Sequence, residues 1–160
     1  MEVKIEPAYD RPQEVARLFG EYMDAIIKQD AEVEKCLAAQ NYKDEINVLH
    51  EKYGLPGGRL YLATLDGRAA GCIALKRFDD ACCEMKRLYV KPEYRRKRIG
   101  NALVERVLSD AREIGYKHMR LDTFPCMESA LKMYRRYGFY EIDRYNDNPA
   151  INAVYMQLDL

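Results

Sequence analysis

Residues 84–107 constrain the fold more than any other stretch of this 160-residue chain. Up to Val90 the stretch is strand-like, with aromatic and branched residues near its end. Lys91-Pro92-Glu93 stops the strand, because proline brings no N–H to a ladder. From Ile99 onward, Leu103, Val107, Leu108, Ala111 and Ile114 recur at helical spacing and form one buried stripe. The junction is therefore strand, short loop, helix N-terminus. The helix start carries Arg95, Arg96, Lys97 and Arg98, then Gly100. The first N–H groups of a helix lack intrahelical acceptors, and the helix dipole adds partial positive charge there. With these cations beside it, the start is a candidate site for phosphate or pyrophosphate. Gly100 lets backbone and ligand approach with no Cβ between them.

The remaining segments build around that junction. Residues 2–7 alternate Val3 and Ile5 with charged neighbours and read as a short strand. Asp10-Arg11-Pro12 predicts a helix start with Asp10 as the cap, and Val15, Leu18, Phe19, Tyr22, Met23, Ile26 and Ile27 give its stripe. A second helical region runs from about Ala31 to Tyr53 and ends at Gly54-Leu55-Pro56-Gly57-Gly58. Within it Glu45, His50 and Glu51 read as solvated-face residues, with a substrate-facing role as the alternative. Two strand-like runs, 59–65 and 69–78, flank Asp66-Gly67-Arg68, a strong hairpin signal. Residues 82–90 extend them to an antiparallel meander. After the helix, Gly115 is a C-cap candidate and residues 117–123 read as a strand. A strand–helix–strand crossover favours parallel pairing of 84–90 with 118–123. Residues 140–144 and 153–158 close the chain as strands around the polar loop 145–152.

Composition excludes several function classes. Lys+Arg and Asp+Glu are both 26, so the basic run is local and a general nucleic-acid binder is disfavoured. No apolar run reaches membrane-spanning length, and the N-terminus shows no signal-peptide core. The five cysteines have no metal-ligand spacing, and adjacent Cys82-Cys83 is not a C-x-x-C pair. The expectation is one domain over 1–160 in the cytoplasm, with reduced thiols, no metal, and neither nucleic acid nor membrane as partner.

At the helix start the sequence resembles motif A of the GNAT N-acetyltransferase superfamily, Gln/Arg-x-x-Gly-x-Gly/Ala. Here it reads Arg95-Arg96-Lys97-Arg98-Ile99-Gly100, with Arg98 in place of the first glycine. If the loop needs a left-handed residue at Arg98, a non-glycine bears strain there. A second segment resembles motif B: Ala130, Met133-Tyr134 and Gly138-Phe139 on a helix opening after Pro125. Glu84-Met85-Lys86-Arg87-Leu88-Tyr89-Val90 together with Asp147-Asn148-Pro149 is similar to small bacterial-type members of uncharacterised acceptor.

The resemblance implies an α/β (α+β) fold: a mixed, mostly antiparallel sheet flanked by helices, with two strands splaying apart near Val90 and Thr123. It implies direct transfer of acetyl from acetyl-CoA, as cosubstrate, to a primary amine of a small molecule or amino acid. Leu88, Tyr89 and Val90 would pair with the pantetheine through their backbone. Arg95, Arg96, Lys97, Arg98, Ile99, Gly100 and Asn101 would hold the pyrophosphate, and Ser129 would bond another cofactor group. Tyr134 would be the acid for the leaving thiolate and Glu84 the base for the amine. Position and aromatic content place the loop with Tyr145, Asn146 and Asn148 over the acceptor pocket. Many members of the family form homodimers, and the sequence specifies no interface of its own. Three alternatives stay open: a non-catalytic acyl-CoA-binding module, a protein or peptide N-acetyltransferase, and a phosphate or nucleic-acid binder using 95–98.

Overall fold

A computed structural model describes residues 1–160. Seven strands form one sheet in the order β1-β2-β3-β4-β5-β7-β6. β1 (Val3–Pro7), β2 (Arg59–Leu65), β3 (Arg68–Arg77) and β4 (Cys82–Val90) pair antiparallel in succession. The β2–β3 turn is the Asp66-Gly67 hairpin, both residues at positive φ. β4 and β5 (His118–Thr123) are the parallel pair. β7 (Val154–Asp159) lies antiparallel between β5 and the short β6 (Tyr140–Ile142).

Helices cover both faces. α1 (Pro12–Gln29), α2 (Ala31–Ala39) and α3 (Leu49–Tyr53) bury Leu18, Phe19, Met23, Leu37 and Tyr53 against Leu60, Leu62, Cys72 and Ala74. α4 (Ile99–Ile114) and α5 (Glu128–Arg136) bury Leu103, Val107, Leu131 and Tyr134 in the opposite core, with Tyr61, Ile73 and Met85. With both faces covered, β2 and β3 are near-continuous apolar runs, as double burial requires.

Two local irregularities on β4 make the site. The first is a bulge: Cys72 pairs with Tyr89 and Ala74 with Lys86, so Ile73 faces two residues of β4. Arg87 takes the extra step at φ 58°. The bulge reverses which alternate residues face which helices. Cys83 and Met85 belong to the α4 core before it, and Tyr89 to the α1 core after it. Gly71 accommodates the turned chain, since a Cβ there would stand 2.5 Å from the Tyr89 carbonyl oxygen. The second irregularity is the splay. β4 pairs with β5 only at Cys82–His118, Cys83–Met119 and Glu84–Arg120. Parallel pairing along all of 84–90 is therefore corrected to these three pairs, and the end of β4 leaves its β5-facing edge open.

The chain from Ala31 to Tyr53 is also broken where one region was read. α2 stops at Ala39, turns follow, and a 3-10 turn at Glu45–Val48 leads into α3. Glu45 is buried there, not solvated, while His50 and Glu51 are exposed. At the first helix the cap position is Arg11, with Pro12 in the first turn, and no side chain caps it.

Candidate active site

The splay opens a cavity of about 460 Å³. Leu88, Tyr89 and Val90 form its floor, Tyr22, Ile26 and Gln29 of α1 one wall, and Ser129, Ala130, Met133 and Arg136 of α5 the other. Arg95 and Gly100 close the end at the start of α4. Tyr89 is tied to α1 by its hydroxyl, which donates to Glu21 Oε2 at 3.3 Å. The Val90 carbonyl accepts from Arg95 Nε at 3.1 Å.

The loop into α4 is a run of unused donors. Arg95 N–H donates to Pro92 O, and the next backbone donation is Ala102 to Arg98 O. The N–H groups in between make no backbone bond. Arg96 and Arg98 both lie in the left-handed region, at φ 64° and 60°. Successive N–H groups with such alternations form a concave anion site, and the N-terminus of α4 adds its dipole. Arg98, at the place of the motif's first glycine, thus adopts a left-handed conformation that glycine would reach without strain. At Gly100 a Cβ would meet only Val90 Cγ2, at 3.7 Å, so the protein itself leaves room for it.

The other expected cofactor residues fall differently. Arg96, Lys97 and Arg98 have exposed side chains outside the cavity lining. Ile99 is buried in the α4 core, so only its backbone is available. Asn101 Nδ2 donates to the Tyr137 hydroxyl at 3.1 Å, and its side chain also lies outside the lining.

Adjoining the floor is a small cavity of about 40 Å³, the junction, which shares Tyr22, Leu88 and Met127 with the first and adds Lys86, Asp122, Thr123 and Tyr134. The Tyr134 ring packs on Phe139, centroids 5.7 Å apart. Burial, and secondarily Tyr22, push its hydroxyl well above the usual tyrosine value, so it holds its proton at neutral pH.

Past the junction lies a polar cavity of about 350 Å³. It shares Lys86 and Asp122 with the junction and adds Lys52, Lys76, Glu84, Asn146 and Asn148, among others. Glu84 is 5 % exposed and accepts from the Tyr145 hydroxyl at Oε2, 2.7 Å. Asp122 Oδ2 accepts from Asn146 Nδ2 at 3.0 Å and Asn148 Nδ2 at 3.1 Å, which anchors the late loop over the cavity. Burial works against ionising Asp122. The Lys86 ammonium, the two amides and Arg87 outweigh it and hold the carboxyl below its ordinary value. Behind this cavity Arg87 makes a two-point contact with Glu45, Nε–Oε2 2.9 Å and Nη2–Oε1 3.0 Å.

Sequence reading missed Lys86, Asp122, Arg136 and the Glu45–Arg87 pair. One signal was available: Glu84 and Lys86 alternate on a strand flanked by apolar strands, which places charge on a covered face.

Residues 22–139 match the acetyltransferase (GNAT) family. An uncharacterised N-acetyltransferase of Schizosaccharomyces pombe is 40 % identical over 126 residues, covering 78 % of this chain and 77 % of that protein. One of Dictyostelium discoideum is 30 % identical over 96 % of each. An acetyltransferase structure from Streptococcus agalactiae superposes with a TM-score of 0.79 at 24 % identity, covering 99 % of this chain and 98 % of that one. The PaiA N-acetyltransferase of Thermoplasma acidophilum, solved with coenzyme A, gives 0.74 at 20 % identity over the whole of both chains. With a family match spanning more than half of its length, the strand–loop–helix and the splay beside it are those of a relative of these enzymes, and the chain belongs to the GNAT acetyltransferase family.

Proposed function

We propose that the protein transfers acetyl from acetyl-CoA directly to the primary amine of a small molecule or amino acid. The observation that carries this reading is a row of three adjoining cavities that share lining residues: one beside an anion cradle, a small one at the splay lined by Tyr134, and a polar one beyond. The coenzyme A held by the PaiA structure supports the donor.

The residues present fit that donor. The open N–H run at 96–101 and Arg95 would hold the pyrophosphate, Arg136 would face its negative charge, and the unpaired edge of β4 would take the pantetheine amides. Acetyl-CoA supplies the acyl group as an activated thioester. The junction directs the amine nitrogen at the acyl carbon, so that a C–N bond forms as the C–S bond breaks. Tyr134 keeps a proton on its hydroxyl at the junction and gives it to the departing sulfur. Glu84 takes the proton lost by the amine. Met85, Leu88, Leu121 and Met127 supply the aliphatic part of the junction's wall.

The test is titration calorimetry and thermal shift with acetyl-CoA, followed by an amine panel read by mass spectrometry. A ligand at a hundred times its Kd adds about 2.7 kcal/mol of apparent stability. Binding with an acetylated amine in the product supports the reading. Binding without turnover across the panel leaves a non-catalytic module, and no binding at millimolar acetyl-CoA removes the cradle assignment.

A further inference from the structure

Several buried tyrosines use their hydroxyls inside the protein. Tyr53 donates to Glu45 Oε1, Tyr61 to Asp110 Oδ2 and Tyr116 to the Gly57 carbonyl. Tyr145, over the polar cavity, donates to Glu84. Tyr22 and Tyr134 differ from these. Neither hydroxyl has a hydrogen-bond partner in the protein, and neither is sealed away as the unpartnered Tyr155 hydroxyl is. Both residues line the junction, Tyr22 from α1 and Tyr134 from α5.

The two also differ in reach. Three residues line both the cofactor cavity and the junction: Tyr22, Leu88 and Met127. Of these, Tyr22 is the one with a side-chain donor. Tyr134, Thr123 and Lys86 line the junction but not the cofactor cavity, and Lys86 is ion-paired with Asp122 at 3.6 Å. The Tyr22 ring is braced by the Tyr89 ring, with centroids 5.7 Å apart and planes at 58°. Burial lifts the Tyr22 hydroxyl to about 12, with Arg87 opposing the rise and Asp122 adding to it. It is therefore neutral at pH 7 and able to donate. Asp122 and Tyr134 both line the junction and both sense this hydroxyl, so it is the polar end of Tyr22 that lies there.

A thioester reaching from the cofactor cavity to the junction brings its carbonyl to the place where the two meet. When the amine attacks, the C–N bond forms and the carbonyl π pair moves onto oxygen. That pair returns as the C–S bond breaks, and the C–S pair leaves on sulfur, which takes the Tyr134 proton. The oxygen gains negative charge and gives it back without taking a proton. A fixed neutral donor aimed at it stabilises that charge more than it stabilises the ground-state carbonyl.

We propose that Tyr22 is a catalytic residue, its hydroxyl donating a hydrogen bond to the thioester carbonyl oxygen from the α1 wall while Tyr134 serves the sulfur from the α5 wall. This rests on the acetyltransferase reading and adds to it the group that meets the carbonyl.

The experiment titrates acetyl-CoA, and S-ethyl-CoA, which lacks the carbonyl oxygen, into the wild type, Tyr22→Phe and Tyr134→Phe by calorimetry. The wild type should favour acetyl-CoA by about 2- to 10-fold, the worth of one neutral hydrogen bond. That ratio should fall toward one in Tyr22→Phe and persist in Tyr134→Phe. The infrared carbonyl band of bound, isotope-labelled acetyl-CoA should move to higher frequency in Tyr22→Phe alone. With any amine that the wild type acetylates, Tyr22→Phe should lower kcat about 10²-fold. Phenylalanine keeps the ring against Tyr89, so the variant is expected to fold. A wild-type ratio and band in Tyr22→Phe would overturn the inference and return Tyr22 to packing, with the acetyltransferase reading standing. A band that moves equally in both variants would overturn it too. Failure of the wild type to bind acetyl-CoA would overturn both.

Discussion

Tyr134 and phenylalanine fill the same space against Phe139, so Tyr134→Phe deletes a proton donor and little else. General acid catalysis contributes about 10²- to 10⁴-fold, and kcat should fall within that range while acetyl-CoA affinity measured by calorimetry stays put. An unchanged kcat would return Tyr134 to a packing role. Glu84 needs a sharper comparison, because its Oε2 is also the acceptor for Tyr145. Tyr145→Phe removes that hydrogen bond but keeps the carboxylate. Glu84→Gln removes the base. If the carboxylate takes the amine proton, Glu84→Gln lowers kcat about 10²-fold or more. Tyr145→Phe then shows mainly in the acceptor KM. Equal losses in kcat would make Glu84 a support for the loop.

Elements carry the next level of the argument, above all the start of α4. Arg98 bears a left-handed conformation that costs an L-residue roughly 1–2 kcal/mol. Glycine relieves that cost while adding some chain entropy in the unfolded state. Arg98→Gly is therefore expected to hold stability or raise it by up to about 1 kcal/mol in urea unfolding, with acetyl-CoA still bound. A clear loss of stability would show that the Arg98 side chain contributes more than the backbone costs. The strand–loop–helix was legible because period, Pro92 and the cluster 95–98 are local signals, and Asp66-Gly67 was legible for the same reason. The bulge was not. Arginine at position 87 gives no sign of a positive φ, and the shift shows only in pairing with Cys72 and Ala74. Glu45 was read as solvated because the polar run 40–44 before it resembles an exposed turn. Its partner Arg87 lies 42 residues away, a distance that no window of helical period spans.

Across the whole molecule, the zero net charge conceals a few buried ions on which the tertiary structure turns. Glu45 joins the 3-10 turn before α3 to the bulge of β4, and so couples the wall of the polar cavity to the strand beneath the cofactor cavity. Burial opposes ionising Glu45. The charge of Arg87, its hydrogen bonds and those of Lys52 overcome that, leaving the carboxyl below the ordinary value of 4.5. A depressed folded value means that the native state binds fewer protons than the unfolded chain as the pH falls. The stabilisation is therefore whole above about 4.5 and drains away as pH drops through the lower folded value. Asp122, depressed from 3.8, adds a second component at lower pH. Glu45→Gln should remove the first component from a urea-melt series at decreasing pH while keeping the second. At neutral pH it should cost about 3–5 kcal/mol, because it leaves the buried Arg87 and the half-buried Lys52 without their shared anion. Adding Arg87→Met to that variant should recover part of the loss, since one uncompensated cation is then gone. If the double variant is no more stable than Glu45→Gln, the pair serves to pin the bulge against the α1–α3 layer, and its cost is one of geometry more than charge. The two explanations also part in activity. A bulge that shifts moves Leu88 and Tyr89 at the cavity floor and raises the acetyl-CoA Kd, whereas a purely electrostatic loss leaves that affinity in place.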